Sequence, residues 1–464
     1  MMIAACGGSI AEDPRLGSST ESEASTVTST DAASETSVAE ASPIEVSPID
    51  VLMADGDTAT QAARSEWAIA EGRVGFLFRG PSAALDASAR ATFAGHFDPK
   101  PTFGSASGCD GSLVIVRLNH DGKYLFRRCL SDLYEGNSLA VGTDGATYVG
   151  TYVPSPSGAW GLGAHKLDEK GATVWSKVFR PATQSNDTMA RALSLAGSDV
   201  VLGGHTKLPV DFGPGQRGGR AESTGIVLRL AAATGATVWA RALGDCSGCG
   251  RTDVLAVAGT PTCTYVAGYW MLGPTDLGQG VLSASKGSFV GALDGKGGTR
   301  WMKLLAVGFP SLAVGSGGEL VLAGSTSLAI DFGNGVTVGP GGYLAVLEPD
   351  GSARWAKNVG YAVAISPVDA GIWIGGSKDD AGVQGALLAQ YAWKDGALLA
   401  EGWSGRAAAT AWQEISGVGA SNAGVAVVGG FKSSIRFGAT TLTNVGPPEA
   451  GPFASGAFFA RIGP

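Results

Sequence analysis

Residues 230–239 read Leu-Ala-Ala-Ala-Thr-Gly-Ala-Thr-Val-Trp, an apolar stretch followed by a turn at Gly235 and an aromatic residue, Trp239, four positions later. This step from glycine to an aromatic residue recurs along the chain. The other pairs are Gly122 and Phe126, Gly171 and Trp175, Gly297 and Trp301, and Gly351 and Trp355. A sixth copy ends near Trp403 and departs from the step, since Gly396 lies seven residues before it. A strand, a glycine turn and a second strand predict a β-hairpin.

A second pattern precedes each of these hairpins. It is an apolar strand that ends at glycine, itself preceded by a turn and another apolar stretch, and it predicts a further hairpin. Its seven copies end at Gly80, Gly150, Gly203, Gly268, Gly324, Gly375 and Gly429, and the first of them reads Phe76-Leu77-Phe78-Arg79-Gly80. The repeated aromatic residues are 48 to 64 positions apart. Four strands in that length are typical of a propeller blade. The sequence therefore predicts an all-β fold, a seven-bladed β-propeller of four-stranded antiparallel blades.

A short signature lies between the two hairpins of a repeat. It reads Asp211-Phe212-Gly213, Asp276-Leu277-Gly278 and Asp331-Phe332-Gly333, with Phe103-Gly104 and Phe437-Gly438 as weaker copies. Aspartate can accept hydrogen bonds from nearby backbone amides, the apolar residue can anchor the segment, and glycine permits the bend. We interpret these segments as turns. The same residue types also occur at calcium sites, which is the alternative.

The repeats leave one strand unaccounted for. The chain ends on Ala457-Phe458-Phe459-Ala460-Arg461-Ile462, which matches only the first strand of the glycine–aromatic hairpin. A ring left open at this point would expose a strand edge. We expect the segment Ile49-Asp50-Val51-Leu52-Met53 to supply the missing strand and close the ring.

Composition and charge support a strand-rich protein and exclude one class of function. Among 464 residues there are 72 glycines and only 16% charged residues, and glycine weakens helix interiors. The net charge of -8 arises in residues 7–50, and the rest of the chain has 32 acidic and 32 basic residues. No basic stripe appears, and a nucleic-acid surface requires one. We therefore expect no nucleic-acid partner.

The N-terminus indicates export. Residues Ile3-Ala4-Ala5-Cys6 match a bacterial lipobox, although little of a signal peptide precedes them, so we expect the true start to lie further upstream. A chance match in a cytosolic protein is the alternative. No run of eighteen apolar residues occurs, so lipid attachment at Cys6 would be the sole membrane contact. We expect residues 1–6 to be a truncated signal, residues 7–44 a disordered Ser/Thr/Glu-rich linker, and residues 45–464 a monomeric propeller on the bacterial envelope.

The repeats resemble two known families. Residues 230–239 look like the repeat of quinoprotein-type (PQQ-like) propellers, and the longer cycle, with its Asp-Phe-Gly step, is similar to the bacterial seven-bladed propeller repeats called SBBP. The likeness covers roughly residues 63–464. It implies architecture more than function, because propellers host many unrelated activities. The adjacent cysteine pair common in alcohol-oxidising quinoproteins is absent, so we expect no cofactor.

Five cysteines follow Cys6. Cys109 and Cys129 flank the first glycine-turn hairpin and are candidates for a disulfide. Cys246, Cys249 and Cys263 form a second group, in which we favour one disulfide and one free thiol. The Cys246-x-x-Cys249 spacing also occurs in redox and zinc sites, which require a helix start or a fourth ligand. These bonds depend on export to an oxidising compartment.

Two sets of tryptophans differ in position. Trp175, Trp239, Trp301 and Trp355 share one place in the repeat, which points to packing between neighbouring blades. Outside that register lie the candidates for stacking on a ligand, Trp160, Trp270, Trp393 and Trp412. Packing is the alternative for this second set as well.

No catalytic motif is present in the sequence. A nucleophile elbow and a phosphate-binding loop are lacking, and the four histidines are scattered without an obvious shared carboxylate. We therefore name no catalytic, metal or cofactor residues. The leading hypothesis is a binding or scaffold lipoprotein for a protein or glycan partner. The rivals are a propeller enzyme, either a quinone-dependent oxidoreductase or a lyase or hydrolase of polysaccharide, and a structural part of an envelope assembly.

Overall fold

A computed structural model of the protein describes residues 65–73, 82–96, 113–130, 134–154, 160–183, 187–213, 215–380, 383–403, 413–432, 434–437, 440–443 and 456–463. These residues form seven four-stranded antiparallel sheets, which are the blades of a β-propeller. Four two-stranded hairpins accompany them. The predicted fold class is thereby confirmed.

The strands follow the chain blade by blade. Strand β1 is Ser65–Arg73, and blade 1 consists of β2 (Ser82–Leu85), β3 (Ala91–His96), β4 (Leu113–Leu118) and β5 (Tyr124–Leu130). Blade 2 consists of β6 (Tyr134–Val141), β7 (Thr147–Val153), β8 (Gly161–Leu167) and β9 (Thr173–Phe179). Blade 3 consists of β10 (Thr188–Ala196), β11 (Asp199–Thr206), β14 (Thr224–Ala231) and β15 (Thr237–Leu243), with the hairpin β12 (Val210–Asp211) and β13 (Gln216–Arg217).

The remaining blades repeat this order. Blade 4 consists of β16 (Arg251–Gly259), β17 (Cys263–Met271), β20 (Gly287–Asp294) and β21 (Thr299–Leu304), with the hairpin β18 (Thr275–Asp276) and β19 (Val281–Leu282). Blade 5 consists of β22 (Gly308–Val314), β23 (Leu320–Thr326), β26 (Gly341–Leu347) and β27 (Ala353–Val359), with β24 (Ile330–Gly333) and β25 (Val336–Val338). Blade 6 consists of β28 (Tyr361–Val368), β29 (Gly371–Asp380), β30 (Val383–Tyr391) and β31 (Leu398–Trp403). Blade 7 joins β32 (Gln413–Ser421), β33 (Gly424–Phe431) and β36 (Gly456–Ile462) to β1, with β34 (Ser434–Phe437) and β35 (Thr440–Thr443) as its hairpin.

The alternation of strand direction gives the propeller two faces. The first strand of each blade is its inner strand, and these strands contact one another from blade to blade around the ring. We call the side on which the inner strands begin the starting face. It carries the connections between blades and those between second and third strands. The opposite side, with the tight turns of both hairpins, is the tip face.

The repeated step from glycine to an aromatic residue packs one blade on the next. Trp175 in blade 2 donates its Nε1–H to the carbonyl of Ala232 in the third-to-fourth-strand turn of blade 3, at 3.0 Å. Its ring lies over Gly235 of that turn, which has a φ of 68°. A Cβ there would lie 2.9 Å from the ring, so only glycine fits. Trp239, Trp301 and Trp355 make the same bond to blades 4, 5 and 6. Their predicted packing role is confirmed.

The sixth copy of this pattern is corrected. The position equivalent to Trp355 in blade 6 is Ala400, four residues after Gly396. Trp355 pairs with Val346 and Ala400 pairs with Gln390, and in both blades the register shifts at the next pair of the third and fourth strands. Trp403 lies three residues further on. An aromatic residue at Ala400 would have no turn to contact, because the third and fourth strands of blade 7 come from opposite ends of the chain.

The glycine predicted to end the second strand instead lies inside it, since β17, for example, continues past Gly268 to Met271. The inner strands of several blades contain a β-bulge, for example between Val254 and Ala256 in β16. At the bulge the backbone carbonyl of Asp253 turns onto the second strand, where a Cβ on Gly268 would lie 2.0 Å from it. Gly429 lies equally close to the carbonyl of its own inner strand, and so do Gly204 and Gly376, which directly follow the predicted Gly203 and Gly375. The glycine is therefore required by a close approach of two backbones.

The Asp-x-Gly segments are turns, as predicted. The carboxylates of Asp211, Asp276 and Asp331 accept a hydrogen bond from the amide two residues later, at 2.8 to 2.9 Å. The central residues Phe212, Leu277 and Phe332 are buried. The segments at Asp211 and Asp276 lead into the bend of a two-stranded hairpin, and the segment at Asp331 lies at the end of β24, directly before the bend. Phe437 ends β34, and Phe103 lies outside the described residues.

The expected closing strand is wrong. Strand β1 is the fourth strand of blade 7 and pairs with β36 from Ser65 opposite Ile462 to Arg73 opposite Gly456. Residues 49–53 lie outside the described residues. Trp67 in β1 donates its Nε1–H to the carbonyl of His120 in blade 1, so it takes the role of Trp175 at the closure. Sequence analysis missed β1 because no glycine turn precedes it. Trp67 and Phe126 are 59 positions apart, within the range of the other repeats, and this spacing was the signal available in the sequence.

The first copy of the second pattern is also corrected. The second strand of blade 1 is β3, which contains Phe93-Ala94-Gly95 and pairs with both β2 and β4. Residues 76–80, which the pattern predicts to be this second strand, come before β2 in the chain and lie outside the described residues. The segment 76–80 matched the pattern because it too is apolar and ends at glycine.

Candidate binding site

A buried histidine bridges two carboxylates between blades 3 and 4, close to the starting face. His205 lies near the end of β11 and Asp253 near the start of β16, and both are fully buried. His205 Nδ1 is 2.9 Å from Asp253 Oδ1, and its Nε2 is 2.8 Å from Asp187 Oδ1. Both nitrogens can donate only when the ring is protonated. The geometry therefore requires an imidazolium between two carboxylates.

These three groups stabilise one another's charges. Burial alone would lower the pKa of His205, but the charge of Asp253 and the hydrogen bonds to Asp187 and Asp253 raise that pKa above its ordinary value. Burial would raise the pKa of Asp253, and the charge and hydrogen bond of His205, together with nearby arginines, instead hold it at about 2. The hydrogen bond from His205 lowers the pKa of Asp187. Both carboxylates are therefore ionised at neutral pH.

Two arginines complete the cluster. Arg191 Nη2 lies 3.5 Å and Arg251 Nη2 lies 3.7 Å from the same oxygen, Asp253 Oδ2. Arg191 is the extra residue of the bulge in β10, whose register shifts between Ala190 and Ala192. A bulge turns such a side chain out of the regular alternation of the strand. The side chains of Arg191 and Arg251 are 16% and 26% exposed, so the cluster reaches solvent through its arginines.

The loop that leads to Arg251 is held at several points. Cys246 and Cys249 form a disulfide, and the amide of Cys249 donates to the carbonyl of Cys246. The carbonyl of Cys249 accepts from the amide of Glu222, and Arg251 forms a parallel bridge with Ser223. The connection between blades 3 and 4 is therefore tied to the neighbouring connection within blade 3.

An exposed apolar side chain stands beside these charges. Leu272 directly follows Met271, which pairs with Arg251 at the edge of blade 4. Its side chain is 67% exposed and its φ is 65°. A leucine in the left-handed region is strained, because Cβ approaches the following carbonyl. Here strain and exposure occur at the same residue of the starting face.

A half-buried carboxyl group lies near the same face in blade 7. Glu414 is the second residue of the inner strand β32. Burial raises its pKa to about 7. The negative charge of Glu414 in turn contributes to the raised pKa of Tyr361, the first residue of β28, after the effect of burial. This carboxyl group therefore titrates near neutral pH.

Four of the six cysteines belong to the described part of the chain. Cys246 and Cys249 are joined, with their Cα atoms 5.2 Å apart, and Cys263 is a free, buried thiol. Cys129 is disulfide-bonded, and Cys109 lies outside the described residues. Cys6 is also outside them, so lipid attachment there stays a prediction.

The three candidate stacking tryptophans that the structure describes lie in blades 2, 4 and 6 and do not come together. Trp270 is 2% exposed and donates to the carbonyl of Ala284, which leaves no ring face for a ligand. Trp393 belongs to a tip-face turn and donates to Val368. Trp160 stacks on Tyr152 with ring centroids 5.0 Å apart. Trp412 lies outside the described residues.

Sequence analysis missed the histidine cluster. The sequence predicts no carboxylate shared by the histidines, but His205 contacts two carboxylates, those of Asp187 and Asp253, which lie 18 and 48 positions away in the chain. The pairing across the blade boundary is not visible in sequence spacing. One signal was available, since Arg191 occupies an inner-strand bulge position that is Leu255 in blade 4 and Val363 in blade 6.

Other parts of the described chain offer less. A shallow groove of about 550 Å³ runs along the outer strand of blade 3, between Arg241 and the turn at Asp294. Asp276 and Asp294 in its wall each already accept hydrogen bonds within their own turns. Within the described residues, no group of three or more metal-ligating side chains is assembled. No described helix is long and apolar enough to cross a bilayer.

Comparisons with known proteins found distant structural similarity alone. No family model matches the sequence, and no curated protein matches it. A quinohemoprotein alcohol dehydrogenase from Comamonas testosteroni has 10% identity and a TM-score of 0.39, over 86% of this chain and 76% of that one. The propeller domain of the Trilobed protease from Pyrococcus furiosus, described as having an open velcro topology, has 10% identity and a TM-score of 0.44, over 82% of this chain and 100% of that domain. Sqt1 of Chaetomium thermophilum, solved bound to the N-terminus of ribosomal protein L10, has 12% identity and a TM-score of 0.38, over 77% and 96%.

Proposed function

We propose that this chain is a binding module whose protein or glycan ligand docks on the starting face, where blades 3 and 4 meet. The observation that carries the proposal is Leu272, an exposed apolar side chain with a φ of 65° beside Arg251. Backbone strain of this kind costs about 1–3 kcal/mol and clusters at ligand sites. An apolar contact next to charged groups is the usual composition of a binding site.

The surroundings of Leu272 support a preorganised site. The Cys246–Cys249 disulfide and the bonds from Glu222 and to Ser223 hold the adjacent connection. Beneath it lies the fully buried pair of His205 and Asp253. A surface that is already ordered loses less conformational entropy when a ligand binds. A small number of contacts would therefore be enough for a ligand to bind.

The test of the docking face is Leu272→Gly, with Ala89→Gly as the matched control. Both residues have a positive φ, 65° and 59°, but Ala89 lies in a tip-face turn. Each substitution relieves strain, so we expect each variant to melt at or above the temperature of the wild type. The full chain is screened against glycan and peptide panels. Any ligand found should bind Leu272→Gly at least tenfold more weakly and Ala89→Gly unchanged. Equal affinity for all three proteins would place docking elsewhere.

We further propose that the propeller is exported and lipid-anchored through Cys6. Disulfides persist in oxidising compartments, and both the Cys246–Cys249 bond and the bonded state of Cys129 support export. The lipobox Ile3-Ala4-Ala5-Cys6 supports the anchor. The mass of the N-terminal peptide, from protein expressed with its native upstream DNA, tests it. An acylated Cys6 is expected, and an unmodified Met1 peptide from the soluble fraction would refute the anchor.

A second candidate, an enzyme acting on polysaccharide, is favoured by Glu414. A half-buried carboxyl group with a pKa of about 7 suits general acid–base catalysis. Turnover of a glycan panel, with a pH profile that changes in Glu414→Gln, would support this candidate. Binding without turnover of the bound glycan would favour the binding module.

A further inference from the structure

The cluster around His205 has more positive than negative groups. Arg191, Arg251 and the imidazolium of His205 face the two carboxylates of Asp187 and Asp253. Within the described part of the chain, neither arginine has another carboxylate within 4.0 Å. His205 uses both ring nitrogens on the carboxylates, so its contact with Arg251, 3.4 Å from Nη2 to Nε2, is between like charges. The described cluster therefore has three positive groups and two negative ones, a surplus of one positive charge.

The arginines also retain unused hydrogen-bond donors. The Nε atoms of Arg191 and Arg251 are buried and have no acceptor among the described residues. Their nearest carboxylate contacts, at 3.5 and 3.7 Å, are longer than the 2.7–2.9 Å typical of charge-assisted bonds. A buried donor without an acceptor is costly. An added acceptor at this place would therefore be stabilised.

We propose that Arg191 and Arg251 form a site for an oxyanion, the carboxylate or phosphate group of an anionic ligand. Guanidinium groups match both kinds of group, because their N–H donors form a planar fork. Both arginines reach towards Asp253 Oδ2, which fixes them from below, and both are partly exposed above. The proposal rests on the proposed docking face and specifies the charge of what binds there.

A second arginine cluster in the protein shows the opposite balance. On the tip face, Arg354 Nε lies 2.6 Å from Glu348 Oε1, and its Nη2 lies 3.1 Å from Glu319 Oε1. This one arginine has two carboxylates, and both lie within hydrogen-bond distance of it. Arg354→Gln is therefore a matched control, since it removes a partly exposed guanidinium from a cluster with no surplus positive charge.

The test is calorimetric titration of the full chain with glucuronate and with inorganic phosphate, at constant ionic strength in chloride. Saturable binding of at least one is expected, and which one binds tells a carboxylate ligand from a phosphate ligand. Arg191→Gln and Arg251→Gln should each weaken binding roughly tenfold or more, as loss of a charged hydrogen bond does. Arg354→Gln should leave it unchanged. No saturable binding, or binding unchanged in both site variants, would overturn the proposal.

A fourth variant keeps the test valid if an arginine variant fails to fold. Asp187→Asn removes a competing negative charge, so it should tighten anion binding severalfold; weaker binding would indicate a merely structural cluster and overturn the site. The outcomes also separate the two proposals. A ligand that is sensitive to Leu272→Gly while no anion binds would leave the docking face standing alone. Anion binding at the arginines, with every panel ligand insensitive to Leu272→Gly, would leave the anion site standing alone.

Discussion

The tip face and the starting face of this propeller are built from the same strands but differ in what repeats. On the tip face, one contact, an aromatic ring against a glycine turn of the next blade, recurs from blade to blade. On the starting face, the bulge of the inner strand recurs, but the side chains on it do not: Arg191 in blade 3 is replaced by Val363 in blade 6. The repeated contacts hold the ring together, and the unrepeated side chains are free to serve a ligand.

The largest effect is expected from removing the strand that completes the tip-face contacts. A chain that lacks residues 65–73 loses β1, Trp67 and the pairing with β36. Blade 7 would then have three strands and an exposed edge. We expect loss of the single cooperative transition in chemical denaturation. A matched deletion of residues 45–53 should retain that transition. If instead the deletion of residues 45–53 abolished the transition and the deletion of residues 65–73 did not, the segment before β1 would be the one that closes the ring.

On the starting face, Asp253→Asn should be the most damaging single change. The buried imidazolium of His205 loses one of its two charged partners. Leaving a buried charge without its partner costs about 3–5 kcal/mol. Denaturant unfolding at neutral pH measures the loss. Asp121→Asn, at an exposed tip-face position, should change stability by less than about 0.5 kcal/mol. Equal effects would mean that the cluster does not stabilise the boundary.

A smaller loss is expected from Gly235→Ala on the tip face. The new Cβ would meet the ring of Trp175 at 2.9 Å and adopt a φ of 68°. Backbone strain and overpacking together should cost about 2–4 kcal/mol. Gly335→Ala is the control, because its φ of 75° is close to that of Gly235 but nothing lies within 4 Å of the added Cβ. The control should lose only the backbone part, about 1 kcal/mol. An equal loss in both would remove the ring contact as a cause.

The smallest effect is a pH dependence on the starting face. Burial raises the pKa of Glu414 from 4.5 to about 7, so the folded state binds a proton more tightly than the unfolded state. Its contribution to stability is present below the ordinary pKa and is lost as pH rises through about 7, on the order of 2–3 kcal/mol in total. Glu414→Gln should flatten the decline of stability between pH 5 and 8, and exposed Glu169→Gln should not. An unchanged pH profile in Glu414→Gln would contradict a half-buried, neutral carboxyl group.

The repeat made the fold predictable, because each blade carries the same local signals. A glycine at a tight turn and an aromatic residue four positions later report directly on the contact between blades. The errors came where that signal is interrupted. Strand β1 lacks its turn, and Ala400 replaces the aromatic residue where the next blade has no turn to receive it. Both interruptions have one cause, the meeting of the two chain ends in blade 7.

The candidate site was much less predictable. His205, Asp187 and Asp253 come from two blades, and no short motif relates them. Their contact depends on the twist between adjacent sheets and on bulges, neither of which has a fixed sequence signature. The interpretation of Trp270 as a ligand-stacking residue was wrong because its packing is also invisible in the sequence. It falls outside the repeat, but its ring fills a space within blade 4 over Gly287.

The pairing of Ser65 with Ile462 places the first and last described strand ends on one face of the ring. Both residues lie at the tip-face end of blade 7, beside the turn that joins β32 to β33. A probe or support coupled directly at Ser65 or at Ile462 is therefore attached at that face. Immobilised in this way, the protein should present the arginines and Leu272 to the surrounding solution without obstruction.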